Sequence, residues 1–130
     1  MANPSKKIES KYWLDEEGIL RIKVGAATDL HITLSDAKRH VRKCIALSGG
    51  LPRLLLIDLR EVSGSISREA SEFIKSNTEL NALKRAEGFI ADTLATHLII
   101  RFSFSFSNAS YPIEIFSTEE RAREWINALQ

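Results

Sequence analysis

Residues 53–59 read Arg-Leu-Leu-Leu-Ile-Asp-Leu, four aliphatic side chains in a row before the acid at Asp58. Successive side chains of a strand point to opposite faces. A strand that is apolar at every position must therefore be covered on both, which is the environment of a central strand in a largely parallel sheet. Parallel neighbours need crossover connections of about a dozen residues, usually helices. This run thus asks the rest of the chain for helices that cover a sheet.

The flanking sequence supplies them. Residues 8–14, Ile-Glu-Ser-Lys-Tyr-Trp-Leu, read as a strand, and Asp15–Gly18 as a turn with Gly18 suited to positive φ. Leu20, Ile22 and Val24 then alternate with Arg21 and Lys23, so the second strand of this hairpin has one solvated face. Residues 25–32, Gly-Ala-Ala-Thr-Asp-Leu-His-Ile, read as a connection. A helix follows over 33–48, capped by Thr33 or Ser35, with Asp36 in its first turn. Its stripe is Leu34, Ala37, Val41, Cys44, Ile45 and Ser48, and Gly49 and Gly50 end it. After the central strand, residues 58–67 read as a loop, and 67–77 as a second helix with Ala70, Phe73, Ile74 and Asn77 inward. Residues 85–92 hold a further strand, and Ile113–Phe116 the last. The final helix spans 117–130, with Ser117 and Glu120 at capping-box spacing and Ala122, Trp125, Ile126 and Leu129 on its apolar face.

The stretch 94–107 fits two periods. Phe-Ser alternation from Phe102 to Ser107 suggests a strand, while Leu94, Leu98, Phe102 and Phe106 recur every four residues. The need for a crossover between two buried strands favours a helix over 93–107. That orientation puts Ile100 and Phe104 outside as a small apolar patch, a surface of the kind partners use.

The expected fold is α/β: a mixed central sheet of five strands, with an antiparallel N-terminal hairpin followed by parallel strands, and four helices. A chain of 130 residues is one domain, here 8–130 behind a loose segment at 1–7. Its 44% hydrophobic and 27% charged residues are those of a globular chain that needs no metal or disulfide to fold. A net charge of +1 speaks against a nucleic-acid or membrane-surface partner. The single cysteine, Cys44, the absence of an apolar run behind the N-terminal lysines and the lack of a membrane span make a cytoplasmic location the expectation.

The runs at 54–69 (Leu-Leu-Ile-Asp-Leu-Arg-Glu-Val-Ser-Gly-Ser-Ile-Ser-Arg-Glu-Ala), 12–24 and 111–126 resemble a family of small bacterial domains of unknown function with a SpoIIAA-like, or STAS-like, fold, that of the anti-sigma factor antagonists. The resemblance covers roughly residues 11–129 and implies the sheet just described, with no established activity. The antagonists carry a regulatory serine, within Asp-Ser-Ser-Gly, at the start of the helix after the central strand. Phosphorylation there by a partner kinase blocks binding. Here Asp58, Leu59 and Val62 match. Ile66 stands at the acidic position, Ser67 on the serine pair, and Arg68 and Glu69 in place of the second serine and the glycine.

Ser67 therefore has two readings. As an N-cap it accepts from the Ala70 or Glu69 amide, the commoner role for serine there. As a modified residue it would place a phosphate at a helix N-terminus, beyond the carboxyl end of a parallel strand where ligands tend to bind. Asp58 reads as an acceptor that organises its loop, and Ser65 as a loop residue. Asp36, His40 and Cys44 are spaced by four but drift about 40° per step, so they form no metal site. Lys38, Arg39, Arg42 and Lys43 form a solvated basic face, and Trp13 and Trp125 read as packing residues. Nothing in the spacing supports a catalytic set or a cofactor.

Two functions follow. The first is a non-catalytic regulatory or interaction module that binds an unidentified protein through Asp58, Arg60, Ser65, Ser67 and Glu69, with self-association through the edge hairpin or the Phe102–Phe106 helix as a separate route. The second is a small-ligand binder or enzyme with a pocket near Asp58 and the third helix, at Leu98, Phe102, Phe104 and Phe106. A closed, polar-lined cavity of drug size near Asp58 favours the second, and a flat surface there the first.

Overall fold

The computed structural model describes residues 9–104 and 109–130. The expected segment 1–7 lies outside them, as does Phe106. The described elements, in order, are β1 (Ser10–Leu14), β2 (Leu20–Val24), β3 (Ala27–Ile32), α1 (Leu34–Ser48), β4 (Arg53–Asp58), β5 (Val62–Ile66), α2 (Arg68–Ser76), α3 (Thr78–Ala82), β6 (Lys84–Ile90), α4 (Leu94–Ser103), β7 (Ile113–Phe116) and α5 (Glu119–Leu129).

The main sheet has the strand order β1-β2-β4-β6-β7, with β1 and β2 antiparallel and the remaining pairs parallel. β4 is central, and Leu54 to Asp58 are all buried, as the aliphatic run demands. Its two faces feed two cores. Leu55 and Ile57 join Leu20, Ile22 and Phe89 beneath α1, α2 and α4. Leu54 and Leu56 join Ile19, Ala86 and Ile90 beneath Ala122 and Ile126 of α5. The expected α/β architecture is thus present, with five described helices rather than four because α3 adds a single short turn of helix.

Three local readings need correction. First, residues 25–32 and 58–67 are not open connections. They contain β3 and β5, which pair in parallel as a second, two-stranded sheet. Leu30 and Ile32 on β3, and Val62 and Ile66 on β5, turn inward while His31, Ser63 and Ser65 stay exposed. Gly64 makes the pairing possible: its φ is 150°, and a Cβ would fall on the Leu30 carbonyl oxygen.

Second, α4 is a helix as expected, but it ends at Ser103, where Phe104 turns extended, rather than running to 107, and its inner stripe is the opposite one. Ile100 is 2% exposed, and the half-buried Phe104 ring packs 5.5 Å from that of Phe89. Leu94, Leu98 and Phe102 are 75%, 45% and 85% exposed. Two threonines fix the rotation: Thr93 caps the Thr96 amide, and the Thr96 hydroxyl donates to the Val62 carbonyl of β5 at 3.2 Å. A polar residue that finds a buried acceptor thereby joins the inner stripe. Third, α5 is capped by Thr118, whose Oγ1 accepts from the Arg121 amide, and not by Ser117. Thr33 caps α1 in a full capping box with Asp36.

The contrast between two glycines tests the account of the small sheet. Gly49 ends α1 at φ 64° with room for a Cβ, so Gly49→Ala is expected to cost about 1–2 kcal/mol. Gly64→Ala pushes a methyl group into backbone and is expected to cost about 2 kcal/mol more. Urea denaturation of the two variants measures the difference, and equal midpoints would show that β3 and β5 separate freely.

Candidate functional site

At the carboxyl end of β4, the Asp58 carboxylate is the organising group. Its Oδ1 accepts from the Arg60 amide and from Arg60 Nε, both at 3.0 Å, and its Oδ2 from Arg60 Nη2 at 2.7 Å and Lys23 Nζ at 3.3 Å. Burial alone would raise its pKa, but the Arg60 hydrogen bonds and the Arg60 and Lys23 charges bring it down to about 2. It serves as a structural anchor for the turn into β5.

The five expected residues do not converge. Asp58 and Arg60 pair with each other, and Ser65 Oγ sits 2.9 Å from His31 Nδ1 across the β3–β5 ladder. Ser67 Oγ accepts from the Ala70 amide at 3.0 Å, the capping arrangement. Glu69 is exposed on the first turn of α2.

A cavity lies between the two sheets instead. It has a volume of about 160 Å³. Its floor is Ile22, Ile57 and Phe89 of the main sheet, its roof Leu30, Val62 and Ile66 of the small one, and one end is closed by Thr96 and Ile100 of α4. Phe104 also lines it, whereas Leu98 and Phe102 do not. The other end runs out between β1 and α1, past Tyr12, Arg39, His40 and Lys43. The Tyr12 hydroxyl lies 2.8 Å from His40 Nδ1, and His40 Nε2 lies 3.7 Å from Cys44 Sγ. With Tyr12 donating to Nδ1, the imidazole carries its proton on Nε2, facing the sulfur. Burial, and next the Lys84 charge, holds His40 down at about 4. Burial, and next Glu87, pushes the Cys44 thiol up to about 12, and burial raises Tyr12 as well. All three are neutral at pH 7, so Tyr12 and His40 bring uncharged polar groups to that end of the cavity beside the charged Arg39 and Lys43, and the Cys44 thiol, which does not line the cavity, is not nucleophilic.

Sequence reasoning missed a second buried group. Lys84 Nζ lies 3.1 Å from both Glu87 Oε1 and Tyr111 Oη, and the Lys84 and Glu87 side chains are 1% and 2% exposed. Residues three apart on a regular strand face opposite ways. The register here slips, Arg53 pairing with Lys84 and Leu54 with Ala86, so Arg85 bulges out and Lys84 turns to the Glu87 side. Burial lowers the Lys84 pKa, but Glu87 and Tyr111 more than offset it, and the net shift is upward. Among the described residues no three His, Cys, Asp or Glu side chains are placed to hold a metal ion, and no helix is long and apolar enough to cross a membrane.

A family model described as "Domain of unknown function (DUF7793)" matches residues 12–130. No curated protein matches the sequence. Among solved structures, an uncharacterised protein of the DUF3478 family with a SpoIIAA-like fold, from Shewanella loihica PV-4, is similar at a TM-score of 0.66 and 18% identity, over 96% of this chain and 98% of that one. At that identity the likeness shows the fold, and the chain has a SpoIIAA-like fold.

The titration of His40 gives a test with a definite sign. Its native pKa of about 4 lies below the unfolded value of 6.5, so the unfolded state binds more protons between those limits. Stability is expected to fall as pH drops through that window, by up to roughly 3 kcal/mol, and to fall less in His40→Gln. Asp58 adds its own loss only below 3.8, as pH approaches about 2. Thermal denaturation from pH 7 to 4.5 isolates the His40 part, and parallel curves for the two proteins would contradict it. For the buried pair, Lys84→Met alone is expected to cost about 3–5 kcal/mol, and Lys84→Met with Glu87→Leu much less, because only the single variant strands a charge. Urea midpoints of the two variants check this.

Proposed function

We propose a function from geometry, because the chain belongs to the family described as Domain of unknown function (DUF7793), whose membership specifies none: it is a non-catalytic binding module for a small, largely apolar molecule. The observation that supports this is the cavity between the sheets, near the carboxyl ends of β2, β4 and β6, where open α/β sheets take their ligands. Its interior is aliphatic and aromatic, and the Thr96 hydroxyl within it is spent on Val62. The neutral His40 and Cys44 and the ion-paired Asp58 offer no activated acid, base or nucleophile, in keeping with binding rather than turnover.

Toluene is a suitable first probe, since a dry apolar cavity of about 150 Å³ accepts a molecule the size of benzene. In an amide chemical-shift titration, saturable changes are expected around Ile57, Phe89 and Ile100. Val62→Phe, which fills the roof, is expected to abolish them without loss of thermal stability, while Leu94→Ser on the outer face of α4 leaves them intact. Shifts that never saturate, or that survive Val62→Phe, would remove the reading.

A second reading, protein interaction, is favoured by the exposed stripe of Leu94, Leu98 and Phe102. Its simplest form is self-association through α4. Sedimentation at rising concentration would then show a dimer that Phe102→Asp dissociates, and a monomer throughout would set it aside. Partner switching at Ser67 is a further form of that reading. Ser67→Asp can keep the helix cap while adding charge, so it is expected to weaken partner binding without unfolding α2.

A further inference from the structure

The open end of the cavity has a sign. Arg39 and Lys43 of α1 are exposed and line it. Asp36 is the only carboxylate lining the cavity among the described residues, and it is committed elsewhere: Oδ2 accepts from the Thr33 amide and hydroxyl at 2.9 Å each. Its Oδ1 reaches Arg39 Nη1 only at 3.4 Å. The Lys43 ammonium makes no ion pair among the described residues and stands 5.0 Å from the centroid of the Tyr12 ring. A cation held at the rim of an apolar hole, with no ion-pair partner among the described residues, favours a ligand that carries its charge at one end.

Size narrows the class further. About 160 Å³ is close to the cavity that accepts one benzene ring, and far too small for a lipid tail together with its headgroup. The Thr96 hydroxyl, buried at the closed end, is spent on the Val62 carbonyl, so the buried part of the ligand finds no free partner there for a polar atom.

We infer that the ligand is a small aromatic or short-chain carboxylic acid, its apolar group seated between Ile57 and Val62 and its carboxylate at Lys43 and Arg39. This rests on the binding function proposed above and names its ligand class. Lys43 supplies a point charge, and Arg39 a planar guanidinium that can leave its long contact with Asp36 to meet a carboxylate in two-point fashion.

The test is a titration calorimetry series with phenylacetate, its neutral isostere phenylacetamide, and toluene. Phenylacetate is expected to bind at least about ten-fold more tightly than the amide, with an affinity that falls as salt rises. Lys43→Gln and Arg39→Gln, both at exposed positions, are expected to remove that preference and its salt dependence while toluene binding is unchanged. If toluene binds but acid and amide are equal, or if Lys43→Gln leaves the preference intact, the anion inference is overturned and the cavity reading stands. If none of the three binds, the cavity reading falls and the inference with it.

Discussion

Two-sided burial of β4 is the constraint from which the rest follows. Leu54 and Leu56 need α5, and Leu55 and Ile57 need α1, α2 and α4, so neither face can be left open to water. The strand can end only where the chain meets polar partners again. Asp58 does so by accepting from Arg60 on its own turn and from Lys23 on the neighbouring strand. A buried carboxylate without such partners would be a liability; with them it fixes the angle at which the chain leaves the sheet.

That departure sets up the second sheet. After β2 and after β4 the chain runs onward as β3 and β5, which pair with each other rather than extending the main sheet. The inward side chains of the pair cover the ends of β2, β4 and β6 but do not fill the space above them. α4 is locked to this layer by the bond from Thr96 to Val62 and to the main sheet by Phe104 on Phe89. Floor, roof and end wall of the cavity thus come from elements that hold one another in place. That rigidity is what a binding site needs if it is not to collapse.

Much of this order was legible in the sequence. Strong periodicity disclosed the hairpin, α1 with its cap narrowed to Thr33 or Ser35, the central strand and the alternation of helices and strands. What escaped notice shares a physical cause: local chemistry decided by distant partners. β5, Val-Ser-Gly-Ser-Ile, has a glycine and two serines because its outer side is wet and its middle lies against Leu30, and such a composition reads as a loop. Thr96 counts as polar until the Val62 carbonyl is known, so the four-residue spacing of Leu94, Leu98 and Phe102 pointed to the wrong face. Lys84 and Glu87 meet only because Arg85 bulges, and no sequence pattern announces a bulge. At the site, Ser67 was readable as a cap from its position. Lys43 and His40 had been assigned to a basic face and a failed metal stripe, because the cavity beside them does not exist until two sheets are stacked.

The cavity also bears on stability. Apolar side chains around a space of about 160 Å³ lack part of the packing they would have in a filled core. On the proposed function, a seated apolar group would supply that packing. A ligand that binds only the native state raises stability by RT ln(1 + [L]/Kd), a gain that keeps growing with ligand concentration after the site is filled. α4 carries its buried residues on the cavity wall and Leu94, Leu98 and Phe102 on the outside, so occupancy and surface are read by the same helix. On the proposed function, one helix would meet the ligand through Thr96 and Ile100 and carry the apolar stripe on its other side, so the cavity wall and the exposed face are set by a single rotation of α4.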